Sequence, residues 1–319
     1  MTGLTDPREP HRHAGGRELG RVLVTGAGGF LGSALVAELW ALGADVVATD
    51  IGPVAATVGG MIPCEVTDFD RVDAVVKEGA FATILHCGAV SGPMVMPDRP
   101  LDIWRINAGG MTNVLEAARR HAVPRIVTCS TSEVYGDRSG RVDETSRPHT
   151  ASVYGASKLA GEEAMLGYAR EHGVDAMALR LSWIYGPGRQ TPTTLDALLR
   201  ATIAGRDTTL PMPADAYTHY LHIDDAVQGV MCAATAADTG SRIFNITTGP
   251  GVPMADVAET VMGLYPGVQV KCGAPDPAGR GIAEIDNSLA AREIGFAPRI
   301  ALVDGLKRLC AALEDTARQ

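Results

Sequence analysis

No apolar run in this 319-residue chain reaches the roughly 18 to 20 residues a helix needs to cross a bilayer, so no membrane partner is expected. Basic charge is scarce: 28 lysines and arginines face 37 acidic residues. The formal charge of -9 leaves no surplus to neutralise nucleic-acid or lipid phosphates. Cys-x-x-Cys spacing is absent. Cys64, Cys87, Cys129, Cys232, Cys272 and Cys310 lie far apart. That pattern argues against a metal cluster or a disulfide frame, and for reduced thiols in a cytoplasmic protein with no metal site. Residues 1–19 lack the apolar middle of a signal peptide and read as a disordered tail, with His11 and His13 solvated. What remains is long enough for one large domain or two unequal lobes, with the composition of an enzyme for small molecules.

Short runs rich in valine and isoleucine alternate with helical periodicity. Residues 22–25, 45–49, 82–86, 125–128 and 175–179 are the candidate strands. Such runs suit parallel strands buried on both faces and joined by crossover helices. After Tyr185-Gly186-Pro187-Gly188, prolines 187, 192, 211 and 213 break the texture. The predicted class is α/β, a doubly wound parallel sheet over 20–182 with a smaller, mainly substrate-binding lobe over 183–319. Residues 220–246 are expected to return to the sheet.

The first strand runs into Thr25-Gly26-Ala27-Gly28-Gly29-Phe30-Leu31-Gly32 and then into a helix. Glycines 26, 29 and 32 allow a tight turn and close approach to a diphosphate, whose charge meets the amides at the helix start. Phe30 and Leu31 supply further amides of that loop. Asp50 follows Gly32 by 18 residues, where a carboxylate accepts from ribose hydroxyls and repels a 2′-phosphate. This is the logic of a Rossmann site for NAD rather than NADP.

Tyr154-Gly155-Ala156-Ser157-Lys158 puts a phenol and an ammonium on one helix face, in a chain with only four lysines. A nearby cation favours the phenolate and suits the tyrosine to proton transfer. Thr131, just past the fourth of these candidate strands, offers a hydroxyl to the substrate.

These residues resemble the extended short-chain dehydrogenase/reductases, the NAD-dependent epimerase/dehydratase family, over nearly all of 21–310. The resemblance implies Tyr154 as acid/base, Lys158 as its tuner and Thr131 as the catalytic hydroxyl. It also implies cofactor contacts from Glu65 and Val66, from Cys87-Gly88-Ala89, and from Asn107. Glu65 stands where the family usually has Asp. Glu133, in Thr131-Ser132-Glu133, is a candidate base. Ser91, Thr131, Ser132, Trp183 and His219 are candidate substrate ligands. Trp183 and Thr218 replace an Asn and an Arg that often serve nucleotide-sugar enzymes, and no Arg-x-Gly-Asp precedes Asp286. Arg189, Arg206 and Arg280 are alternative phosphate ligands.

Three functions are compatible with these residues. The first is hydride transfer between NAD and a hydroxyl of a sugar or sugar acid. The alternative is a nucleotide-sugar epimerase, dehydratase or decarboxylase with tightly held NAD. The third, a non-catalytic NAD-binding regulator, sits badly with an intact Thr131, Tyr154 and Lys158. By resemblance the protein is a homodimer built on the helices over 107–120 and 154–168, with Leu159 and Met165 facing outward.

Overall fold

The computed structural model describes residues 16–52, 60–91, 94–274 and 281–318. His11, His13, most of the expected tail and Arg280 lie outside the described residues.

Seven parallel strands form the central sheet. Across it they lie in the order Ile243–Ile246, Ala176–Leu181, Arg125–Thr131, Thr83–His86, Val22–Thr25, Val46–Asp50 and Met61–Pro63. The chain starts in the middle at Val22–Thr25, builds outward to one side, then crosses back to Thr83–His86 and builds to the other. Thr25 pairs with His86 on one side and with Thr49 on the other. The carboxyl ends of these central strands flank the topological switch point, where such sheets open a crevice for a ligand.

Burial on both faces explains the strand composition. Val22, Val24, Ile84, Leu85, Ile126, Val127 and Leu179 are all fully or almost fully buried. The helices Phe30–Ala41 and Ile223–Thr235 cover one face, contributing Leu35, Leu39, Ala226 and Val230. Helices Phe69–Gly79, Gly110–Arg120 and Val153–His172 cover the other through Val72, Val76, Leu115 and Met165.

Met165 is fully buried in that second core, and Leu159 packs against Val134, Tyr135, Val142 and Ile285. The expectation that both face outward is corrected. The helix lies close against Gly110–Arg120, where a Cβ on Gly161 would stand 3.2 Å from Met111 Cγ. That close approach turns Met165 inward.

A third core lies beyond the sheet and joins Tyr185, Leu198, Leu199, Leu210, Tyr220, Val257, Val261, Leu306 and Leu309. It includes helices Thr194–Ile203, Met254–Leu264 and Leu302–Arg318. The chain passes between the two regions through the parallel pair Trp183–Tyr185 and Tyr220–His222. No helix among the described residues is long and apolar enough to cross a membrane.

Two strands of the sheet carry little sequence signal. Met61–Pro63 is a short edge strand that is partly exposed, so it needs no apolar run. Ile243–Ile246 has Asn245 in its interior, whose side chain is satisfied by Tyr135 and the Asp286 carbonyl.

Candidate active site

The glycine loop owes its shape to close contacts. Gly26 has φ +67°, and a Cβ there would stand 2.6 Å from Cys87 C and Gly88 N. A Cβ on Gly32 would stand 2.1 Å from the Gly26 carbonyl oxygen. Helix Phe30–Ala41 starts from Gly29, which offers no capping side chain, and no acidic residue occupies its first turn. Its first amides therefore have neither a capping side chain nor a first-turn carboxylate competing for them, which fits a bound diphosphate.

Asp50 ends its strand beside this loop. Its Oδ2 accepts from Gly28 N at 2.9 Å and its Oδ1 from Ile51 N at 2.7 Å. Each oxygen keeps a second lone pair for a ribose hydroxyl. Val66 is buried against Gly88 and Gly110, where added methyls would meet it at 2.9 and 2.6 Å. Glu65 is exposed and its Oε1 accepts from Thr67 Oγ1 at 2.6 Å. Ala89 and Ser91 are exposed at the end of the Thr83–His86 strand.

Asn107 sits in a π-helical turn, Arg105–Gly109, inserted between helices Pro100–Trp104 and Gly110–Arg120. Such insertions frequently mark functional sites. Asn107 is buried, accepts from Val90 N at 2.8 Å, and donates to the Val90 carbonyl and to Ser157 Oγ. It thereby ties the loop after Cys87-Gly88-Ala89 to the Tyr154 helix.

That helix starts at an N-cap, Ser152, whose Oγ accepts from Gly155 N, and stops at Gly173, φ +68°. The Ser152 hydroxyl in turn donates to the Glu133 carboxylate. Glu133 is exposed and works on the cap of the helix that carries Tyr154. Lys158 Nζ donates to the Cys129 carbonyl at 2.8 Å. One turn later Glu162 meets Arg180 in a buried ion pair at 2.7 Å, and Glu162 also accepts from Ser130 Oγ.

The electrostatics keep Tyr154 protonated. Burial pushes its phenol up to about 12, a hydrogen bond with Thr131 opposes this, the Glu133 charge adds to it, and the Arg189 charge lowers it. Burial also lowers Lys158, while the neighbouring Cys129 and Cys87 sulfurs act in the other direction. Thr131 ends the Arg125–Thr131 strand with its Oγ1 accepting from Glu133 N at 3.2 Å, and Ser132 follows, half-buried.

Arg189 reaches this centre from the far side. Its guanidinium lies 5.6 Å from the Phe30 ring centroid, Nη1 donates to the Ile184 carbonyl, and its buried Nε has no partner among the described residues. Arg206 is exposed. Trp183 is 45% exposed, and its backbone NH donates to the His219 carbonyl. The His219 ring is wedged beside Gly251, with Nε2 2.9 Å from the Ile282 carbonyl oxygen, and burial lowers its pKa.

The sequence motifs give no sign of roles for Glu162, Arg180 and His86, nor for the Thr25 hydroxyl. Glu162 stands four residues after Lys158 on the same face, a spacing that was available to find it. Thr25 Oγ1 lies 2.7 Å from His86 Nδ1 and also accepts from Gly88 N, a link between neighbouring strands that no local spacing reveals.

Comparison with known proteins follows the same lines. The family model described as the NAD dependent epimerase/dehydratase family matches residues 22–247. A dTDP-glucose 4,6-dehydratase of Streptomyces niveus is 27% identical over 313 residues, covering 90% of each chain. The structure of MoeE5 in complex with UDP-glucuronic acid and NAD is 30% identical, with TM-score 0.81 over 93% of this chain and all of that one. The NAD complex of the UDP-glucose 4-epimerase of Thermus thermophilus is 25% identical, with TM-score 0.80 over 92% of this chain and 99% of its own. A glycine loop at the switch point, Asp50 beside it and a Tyr-x-x-x-Lys helix facing it are the features that accompany this likeness, and this chain is an NAD-dependent enzyme of the epimerase/dehydratase family.

Proposed function

We propose that the protein oxidises a hydroxyl of a nucleotide-diphosphate sugar, keeps its NAD bound, and returns the hydride in an epimerase or dehydratase cycle. The carrying observation is the placing of Tyr154 and Thr131 together at the carboxyl end of the central sheet, near enough for the Thr131 hydroxyl to lower the phenol's pKa. The Tyr154 phenol is the group that takes the sugar hydroxyl's proton and gives it back. Thr131 holds the same oxygen. Lys158, anchored on the Cys129 carbonyl, is proposed to orient the cofactor ribose and to favour the phenolate when Tyr154 acts as base. NAD supplies the acceptor and donor of hydride.

The relatives' ligands support the substrate class. MoeE5 was solved with UDP-glucuronic acid and with UDP-glucose. Arg189 is the cation proposed for a phosphate, since its buried Nε lacks a partner among the described residues. Glu133 is proposed as the base only in a dehydratase cycle. Its bond to Ser152 assigns it first to the helix cap.

Purified protein would be denatured to release bound nucleotide, then native enzyme incubated with UDP-glucose, UDP-glucuronic acid and dTDP-glucose. Co-purified NAD and a converted sugar nucleotide without net NADH are expected. NADH accumulating from free sugars or sugar acids, with no sugar nucleotide converted, overturns this in favour of a simple dehydrogenase. The exposed Trp183 is the observation that favours this second reading.

A homodimer is also proposed. Leu101 and Trp104, 58% and 43% exposed, lie on the short helix that packs against Val153–His172, and Val153 is exposed as well. The cytoplasm is the proposed location, in keeping with six cysteines that are all free thiols.

A further inference from the structure

Cys87 and Cys129 lie one rung beyond the pair His86 and Thr128 on neighbouring parallel strands. Their sulfurs are 3.6 Å apart. Both residues, like Cys272, retain partial exposure, whereas Cys64, Cys232 and Cys310 are buried, and among the described residues only these two cysteines are in contact with each other through sulfur. We propose that Cys87 and Cys129 are a modification site that closes to a disulfide on reaction with hydrogen peroxide, and that the cross-link switches off dinucleotide binding. The second half rests on the glycine loop being the NAD site.

The geometry permits the bond. Adjacent strands run about 4.8 Å apart, within the roughly 4.4 to 6.8 Å that disulfide-linked Cα atoms span. Bonded sulfurs stand about 2.0 Å apart, so side-chain rotation and a small strand shift must remove about 1.6 Å.

The two thiols are not equivalent. Either S–H can donate across the 3.6 Å contact; with Cys87 as donor, that bond and the Lys158 charge hold the Cys129 thiol below its ordinary value, while the same bond and burial hold Cys87 above. The Cys129 thiolate is therefore the attacking group. It bonds to one peroxide oxygen, the O–O bond breaks, and the departing hydroxide takes up a proton to leave as water. Cys129 is then a sulfenic acid. The Cys87 sulfur attacks the Cys129 sulfur, the S–O bond breaks, and the hydroxyl leaves with the Cys87 proton as a second water. Two thiols are oxidised and one peroxide is reduced.

Each sulfur is coupled to half of the site. The Cys87 backbone abuts Gly26 with no room for even a methyl, and the next amide, that of Gly88, holds Thr25 Oγ1. The Cys129 carbonyl holds Lys158 Nζ. Drawing the two strand ends together presses on the glycine turn and displaces the lysine together.

The full-length protein, freed of co-purified nucleotide, would be treated with hydrogen peroxide, alkylated and mapped by peptide mass spectrometry, with NAD binding followed by calorimetry before and after. A Cys87–Cys129 linked peptide is expected, with NAD affinity falling by at least about tenfold and recovering in dithiothreitol. In Cys129→Ser, peroxide should produce no linked peptide and no change from that variant's own starting affinity. Cys87→Ser provides the same comparison if the first variant does not fold. Both thiols alkylated after peroxide, or oxidised separately without linkage, overturn the site. Linkage with unaltered NAD affinity overturns the switch. Reduced protein that binds no NAD overturns the cofactor reading and the switch, while the peptide map still decides the cross-link.

Discussion

Tyr154 has its phenol held protonated up to about 12 by burial, so it serves as a base only when positive charge is close by. Tyr154→Phe should therefore lower turnover by about 10²- to 10⁴-fold while leaving NAD binding within a fewfold. Stopped assays alongside calorimetry would check this, and activity within a fewfold of wild type would remove the tyrosine from its role. His86 makes a separate prediction about pH. Burial and the Lys158 charge push its pKa down to about 3. The folded state keeps the ring neutral, whereas the unfolded chain protonates it near its ordinary value of about 6.5. Its contribution to stability is thus fully present above about 6.5 and is lost as pH falls from there toward 3. Melting temperatures between pH 7 and 4 should decline, and His86→Asn should flatten the decline. An identical slope in both proteins counts against His86.

Among the elements, the helix after the glycine loop pits propensity against packing. Alanine in a helix gains about 0.5–1 kcal/mol over glycine. At Gly32 the methyl would stand 2.1 Å from a backbone oxygen, and overpacking of that kind costs about 1–3 kcal/mol or more. Gly32→Ala should therefore destabilise the protein and weaken NAD binding. At Gly263, near the end of Met254–Leu264, a Cβ meets nothing within 4 Å. Gly263→Ala should raise stability by about 0.5–1 kcal/mol. Chemical denaturation of both variants tests the pair, and equal signs would refute the packing argument.

The elements also show what local pattern can and cannot reveal. Strands such as Arg125–Thr131 announce themselves because both faces are buried and the run is rich in β-branched residues. Met61–Pro63 does not, because an edge strand of three residues is held by its partner's backbone and not by its own side chains. The π-helical turn at Asn107 is equally silent, since an extra residue in a helical turn leaves the surrounding periodicity almost intact.

For the whole molecule, the exposed Leu101 and Trp104 carry the expectation of association. Light scattering should give twice the 33.3 kDa chain mass, and Trp104→Glu should shift the population toward the single chain. A wild-type mass of one chain removes the dimer. Helical spacing allots Met165 to a face without saying which neighbour that face meets, and the Gly161–Met111 approach turns it inward rather than toward a partner.

Local pattern was enough to place the glycine turn between strand and helix, Asp50 at the end of the next strand, and Tyr154 with Lys158 on one helix. Each is a short-range arrangement whose geometry follows from the turn, strand or helix that contains it. Folding of the whole chain was needed to bring Arg189 over Phe30, to neutralise Glu162 with Arg180, and to bring the Cys87 and Cys129 sulfurs together. Those contacts join residues far apart in the chain, and their distances are set by how strands are ordered in the sheet and how tightly helices pack on it.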